Sequence, residues 1–230
     1  MKNYLIIGAS SGIGRAIALQ LSGEDNRVYA TYHTHPQADI DNISYHHVDV
    51  MASSQDFSFL PETIDGVVYC VGSISLKPFH RISSEDFMKD YQLQVLGAVT
   101  VLQNCMPALK NSTHPAVVLF STIAVQTGFT FHSMVSSSKG AIEGLTRALA
   151  AEWAPKIRVN CVAPSITQTP LASGLLSSAE KIEANAQRHP LKKIGEPEDL
   201  AGLACFLLSE KARWITGQVM HADGGMSSLR

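Results

Sequence analysis

The sequence predicts an α/β fold, a parallel sheet with helices on both faces. Short apolar runs of strand length alternate with segments whose apolar residues recur at helical spacing. A glycine-rich turn joins the first run to the first helical segment. With 45% hydrophobic and 17% charged residues, a 230-residue chain has enough apolar surface to form a core, which excludes disorder.

The elements follow in order. Tyr4–Ile7 reads as a buried strand, and Ile13, Ile17 and Leu21 then share one helical face. Arg27–Tyr32 and Tyr45–Val48 are the second and third strands. Between them His33–Ser44 contains Pro36 and several turn formers and is too short for a crossover helix, so that edge is expected to be thinly covered. Gly66–Val71 is the fourth strand, Glu85–Leu109 a long helix, and Ala116–Ser121 the fifth strand. Ser136–Trp153, Arg158–Ala163, Pro197–Leu208 and Gln218–His221 continue the alternation, with Pro197 suited to a first helical turn. Thr167–His189 breaks it with mixed polarity and is expected to be a mobile helical flap over whatever binds at the strand ends. No linker, repeat or low-complexity tract appears, so residues 1–230 read as a single domain carrying a small flap at 167–189.

Composition narrows the function classes. Lys and Arg number 18 against 20 Asp and Glu, a balance with no electrostatic footprint for nucleic acid or anionic lipid. Cys70, Cys105, Cys161 and Cys205 are scattered through apolar stretches without a CxxC pair, as expected of reduced thiols in a cytoplasmic protein. The apolar start is too short for a secretory segment, and Leu200–Leu208 is far shorter than the ~20 residues that span a bilayer. Neither nucleic acid nor membrane is expected as a partner.

Gly8-Ala9-Ser10-Ser11-Gly12-Ile13-Gly14 follows a strand and opens a helix. Backbone N–H groups and a helix N-terminus then converge on one spot, suited to a pyrophosphate. The bland alternative is a tight turn with no ligand. The same residues match G-x-S-x-G, which would make Ser10 the nucleophile of a hydrolase elbow. That reading is remote, because no preceding strand or loop exists to donate a second oxyanion N–H.

With further motifs in fixed order, the chain resembles the classical short-chain dehydrogenases/reductases from Leu5 to Gly225. The motifs are the glycine turn, Asp49-Val50, Lys139 on a long helix, Arg158-Val159-Asn160-Cys161-Val162-Ala163-Pro164, Gly195-Glu196-Pro197-Glu198-Asp199, and Ile215-Thr216-Gly217-Gln218 through Asp223-Gly224-Gly225. The resemblance implies a Rossmann-like doubly wound sheet of order 3-2-1-4-5-6-7, a dinucleotide across the strand ends, and homodimers or homotetramers built on the two long helices. It assigns Gly8, Ser10, Ser11, Gly12, Ile13 and Gly14 to the phosphates, Asp49 and Val50 to adenine, Lys139 to the nicotinamide ribose and Thr169 to the carboxamide. Gly72 lets the fourth strand approach the cofactor.

Thr31-Tyr32-His33-Thr34-His35 ends the second strand without a carboxylate. A 2′-phosphate is therefore permitted, with His33 and the Ser11 hydroxyl to take it, so NADP(H) is expected before NAD(H). His33 and His35 have no third partner that would make a metal site.

The catalytic half departs from the family. Its tyrosine, four residues before the lysine, falls on Val135, which cannot move a proton. Its serine falls on Thr122, or on Ser121 if the alignment shifts by one, and its asparagine on Gln94. Tyr69-Cys70-Val71-Gly72, Ile7 and Ser165 are further changes around the same site. His132, seven residues before Lys139, stands at the tyrosine spacing of the family's divergent enoyl reductases, and histidine as a residue type can exchange a proton near neutral pH. Tyr69 and Cys70 are weaker candidates. The expectation is an atypical NADP(H)-dependent oxidoreductase acting on a small carbonyl, alcohol or activated C=C. Its rival is a catalytically silent dinucleotide binder with a sensor or partner role.

Overall fold

The computed structural model describes residues 1–23 and 26–229. Seven strands, β1 (Lys2–Ile7), β2 (Asn26–Tyr32), β3 (Ile43–His47), β4 (Gly66–Tyr69), β5 (Ala116–Phe120), β6 (Arg158–Pro164) and β7 (Val219–Ala222), form one sheet. Its order is β3-β2-β1-β4-β5-β6-β7 and every pairing is parallel, as expected. The order reverses between β1 and β4, which opens a crevice beyond the carboxyl ends of those strands.

The central strands are apolar on both faces because both are covered. Leu5, Ile7, Val67, Val117 and Leu119 pack into one core, and Ile6, Val68 and Val118 into the other. Leu5 has no exposed surface, so Leu5→Ala is expected to cost about 2–5 kcal/mol. On the second face lies α1 (Gly12–Leu21), which buries Ile17, Ala18 and Leu21. Ile13, expected on that stripe, is only partly buried.

The helical segment expected at Glu85–Leu109 is interrupted. It comprises α2 (Ser84–Tyr91), a π turn (Gln92–Leu96) and α3 (Gly97–Asn111). Ser83 and Asp86 form a capping box that starts α2. A π turn leaves backbone groups off the regular ladder, and here the buried Tyr69 hydroxyl donates to the Leu93 carbonyl at 2.6 Å. A β-carbon on Gly97 would collide with that hydroxyl, so glycine is required where α3 begins.

After β5 come α4 (Ala124–Thr127) and α5 (Ser133–Trp153), which starts earlier than the sequence pattern suggests. Then α6 (Ala179–Gln187) and α7 (Pro197–Leu208) lead to β7. Arg158 joins these last parts: its guanidinium donates to the carbonyls of Leu207, Leu208, Ser209 and Ile215 at the end of α7 and beyond. Asn160 adds bonds to Ile215 O and Gln218 N, so these side chains of the Arg158–Pro164 motif hold the sheet edge.

Strand limits shift by a few residues. β3 starts at Ile43 and stops at His47, and β4 ends at Tyr69 because Cys70, Val71 and Gly72 leave the ladder to line a cavity. His33–Ser44 contains no helix, only an isolated bridge between Ile40 and Ile43, as expected of a thinly covered edge. Residues 167–189 contain a 3-10 turn (Pro170–Ala172) and α6, and Ala172, Leu176 and Ala186 pack with Ile194 into a small core of their own. Among the described residues no helix is long and apolar enough to cross a membrane, and no group of three or more His, Cys, Asp or Glu could hold a metal ion.

Candidate active site

The glycine turn fits a dinucleotide phosphate. Gly8 (φ +82°) and Gly12 (φ +53°) adopt left-handed backbone that favours glycine. Gly8 N donates to Thr31 Oγ1 at 3.1 Å and Ala9 N to Thr31 O at 2.8 Å, fixing the turn to β2. The N-cap residue of α1, Ser11, is extended and its side chain makes no cap bond, and no acidic residue occupies the first turn. The leading N–H groups of α1 therefore remain available to an anion.

Gly14 acts differently from the expectation that it borders a phosphate. A β-carbon there would overlap the Gly8 carbonyl, so its role is close packing of helix on turn. Ser10 and Ser11 flank the turn, and among the described residues no histidine bonds to Ser10. The hydrolase reading of Ser10 thus lacks a base.

At the sheet edge the exposed His33 lies 3.8 Å from Asp49 and its ring 5.8 Å from that of His47. The second strand indeed ends without a carboxylate, but the third supplies one beside the same histidine. Asp49 also accepts from Met51 N at 2.9 Å, and Val50 is buried against Gly97.

Beyond the ends of β4, β5 and β6 lies a cavity of about 550 Å³. It brings together Ile13, Gly72, Thr122, His132, Val135, Lys139 and Thr169. Ser10, Ser11, Gly12, His33, Asp49 and Val50 do not line it. Thr169 joins the cavity to the glycine turn: its side chain faces Gly12 and its hydroxyl donates to Thr167 O at 3.3 Å.

Lys139 is 7% exposed, and burial pushes its ammonium down to about 8, while the Cys161 and Cys70 thiols and the Asp90 carboxylate pull the other way. Gly72 leaves room beside it: a β-carbon there would stand 3.5 Å from Lys139 Nζ and 3.6 Å from Gln94 Oε1. Gln94 lies behind the cavity wall rather than on it. Its Nε2 donates to both Asp90 oxygens at 2.8 and 2.7 Å, and its buried Oε1 has no partner. Ser73 and Ser138 hydroxyls also donate to Asp90, so this buried carboxylate ties α2, the π turn, α5 and the loop after β4 together.

Side-chain commitments sort the remaining candidates. The Ser121 hydroxyl donates to Glu143 at 2.8 Å, so of the two alignment candidates, both of which line the cavity, Thr122 has the less committed hydroxyl. Tyr69 donates to Leu93 O and burial raises its pKa, and burial also raises that of Cys70. Neither is suited to proton transfer near neutrality. Val135 is 6% exposed and contributes an apolar patch to the wall. His132 faces the cavity with Nδ1 2.8 Å from Thr130 O; a carbonyl only accepts, so Nδ1 carries the proton and neutral Nε2 is free to accept.

A second histidine was not singled out from the sequence. His189, 2% exposed, also lines the cavity, with Nε2 2.8 Å from Ser165 Oγ and Nδ1 2.8 Å from Asn185 O. One signal for the pair existed, the serine after Pro164 where the family has glycine. Nothing in the pattern of 167–189 marked its partner.

The comparisons agree with this geometry. The family model described as Enoyl-(Acyl carrier protein) reductase matches residues 8–227. Tropinone reductase homolog At5g06060 of Arabidopsis thaliana is 31% identical over 98% of this chain and 92% of its own length. L-xylulose reductase of Bos taurus is 32% identical over 97% of this chain and 96% of its own. The solved structure of ElxO with NADP bound superposes with a TM-score of 0.87 at 28% identity, covering 99% of both chains. Sequence motifs, sheet order and full-length similarity together establish that the chain belongs to the short-chain dehydrogenase/reductase family of oxidoreductases.

Proposed function

We propose that this chain binds NADP(H), in preference to NAD(H), along the strand ends and reduces a small carbonyl compound or oxidises the corresponding alcohol. An activated C=C is the other acceptor class. The observation that carries the reading is the uncapped N-terminus of α1 beneath two left-handed glycines, in one crevice with the buried Lys139. The NADP-bound state of ElxO supports the choice of nucleotide.

When bound, the nucleotide supplies the hydride chemistry. The chain's residues do the rest. N–H groups of the turn Gly8–Gly14 take the pyrophosphate, with Ser10 and Ser11 beside it. Asp49 and Val50 hold adenine, and His33 meets the 2′-phosphate, moderated by its Asp49 neighbour. Lys139 donates to the nicotinamide ribose beside Gly72, and Thr169 holds the carboxamide. Gln94 backs Lys139 from the interior. Thr122 hydrogen-bonds the substrate oxygen. His132 is one of two histidines on the cavity wall from which a proton can reach that oxygen.

The reading also takes residues 1–230 as one domain with 167–189 as a flap over the cleft, assembled as a homodimer or homotetramer in the cytoplasm. Calorimetry with NADPH and NADH tests its first half, and loss of reduced-nicotinamide absorbance across a carbonyl panel tests the second. Absence of binding by either nucleotide would sink it. A silent binder is the second reading, favoured by Val135 on the cavity wall.

A further inference from the structure

We infer that Ser165 and His189 form the proton-delivering pair of this cavity, taking the place of the acid absent at Val135; the inference rests on the reductase reading above. Three observations converge. Ser165 Oγ and His189 Nε2 are 2.8 Å apart, and both residues line the cavity that Thr122, Val135 and Lys139 also line. His189 Nδ1 lies 2.8 Å from Asn185 O, which can only accept, so the ring's orientation and the site of its second proton are fixed. His189 is 2% exposed while Ser165 is half-buried, so the serine is the member that meets a substrate and the histidine works through it. A nucleophile or acid bonded to a base that a third group orients is a recurring catalytic arrangement.

The hydrogen bond can run either way. With neutral His189 the Ser165 hydroxyl donates to Nε2. With the imidazolium, Nε2–H donates to Oγ and turns the serine proton toward the cavity. In the reducing direction the carbonyl carbon accepts a hydride, two electrons and one hydrogen nucleus, from a reduced nicotinamide dinucleotide. The C=O π pair moves to oxygen, which takes the proton from Ser165 Oγ. Ser165 recovers a proton from His189 Nε2, and His189, now neutral, is reprotonated from water. Charged or titratable side chains sharing the two cavities that His189 borders are Cys70, Lys139, Arg188 and His132 in the larger, and Lys193, Asp199 and Asp223 in the smaller. Ser165 Oγ also lies 3.4 Å from Met226 Sδ, a weak acceptor that does not compete with imidazole.

The full-length protein is tested as wild type, Ser165→Ala and Ser165→Thr. NADPH affinity is measured by calorimetry, turnover on a carbonyl panel, and the His189 ring nitrogens by 15N NMR. In Ser165→Ala the His189 Nε2 resonance should move, NADPH affinity should stay within about twofold, and kcat should fall ~10²-fold. Ser165→Thr, which keeps the hydroxyl, should recover most of that loss. The pairing is overturned if Ser165→Ala turns over at the wild-type rate; a wild type that binds NADPH and reduces no carbonyl would sink the reductase reading and the pairing with it. The pairing is overturned as well if Ser165→Thr is as slow as alanine, or if His132→Ala alone carries the loss. Failure of wild type to bind NADPH would instead sink the reading on which the pair rests.

Discussion

The turn between β1 and α1 and the wall built by β5 and α5 lie near one another at the strand ends, yet under the proposed reading they would recognise ligands by different means. The turn works with backbone: two left-handed glycines, an uncapped helix start and a tightly packed Gly14 present N–H groups whose chemistry no substitution elsewhere alters. The wall offers side chains, and under the proposed reading Val135, Thr122 and Gln94 stand where the family carries its acid, serine and asparagine. Binding built from backbone persists under sequence change as long as its glycines remain. Proton transfer does not, because it needs one particular functional group at one position.

The largest effect that would break this contrast is expected at Gly14. Gly14→Val forces a side chain into the Gly8 carbonyl, and we expect a loss of more than about 3 kcal/mol of stability together with loss of NADPH binding, by thermal melting and calorimetry. A stable variant that still binds would show that the turn tolerates side chains after all.

Lys139 comes next, measured without nucleotide. An unfolded lysine titrates near ~10.4, whereas burial lowers Lys139 to about 8. Between these values the unfolded chain binds the extra proton, so this group's contribution to stability rises with pH from about 8 to ~10.5. Below that window the ammonium destabilises the fold in full. Lys139→Met should therefore be more stable than wild type at pH 7, by at most roughly 3 kcal/mol, and the gap should close by pH 10.5. The difference between the two proteins isolates Lys139 from the buried thiols and phenols, whose raised pKa values act in the opposite direction. Urea titrations at several pH values check it, and a constant gap would refute it.

Val135→Tyr sharpens the contrast from the other side. It should raise carbonyl reduction about tenfold or more by restoring a phenol near Lys139, provided that melting shows the added bulk is accommodated. The smallest effect is expected at the exposed His33. His33→Ala should weaken NADPH relative to NADH by no more than about fivefold, since an exposed charge contact contributes ~0.2–1 kcal/mol.

Much of this architecture was legible from periodicity. The seven strands lie where apolar runs predicted them because parallel strands covered on both faces must be continuously apolar, as Ala116–Phe120 is. The glycine turn was legible because left-handed backbone demands glycine. The π turn was not, since Gln92–Leu96 keeps helical composition and the hydroxyl that bonds into it, that of Tyr69, lies on a distant strand. Asp49 beside His33 and Ser165 beside His189 escaped for the same reason. His33 and Asp49 follow different strands, and Ser165 and His189, though both in the β6–β7 connection, are 24 residues apart, so a one-dimensional pattern has no term for their proximity.

One extra residue in an α-helix swings everything beyond it by about 100°, whereas a π turn absorbs it locally. Asp90 and Gln94 therefore point into the polar cluster under Lys139, and α2 and the π turn pack on α5. Past the turn, Val101, Leu102 and Cys105 of α3 lie on the sheet. The two stretches are indexed in separate reading frames. Residues 84–94 can be retooled for a new chemistry without re-phasing the stripe that anchors α3, and that stripe can drift without rotating Gln94 out of the interior. Tyr69, through a single hydroxyl, is the pin between the two frames.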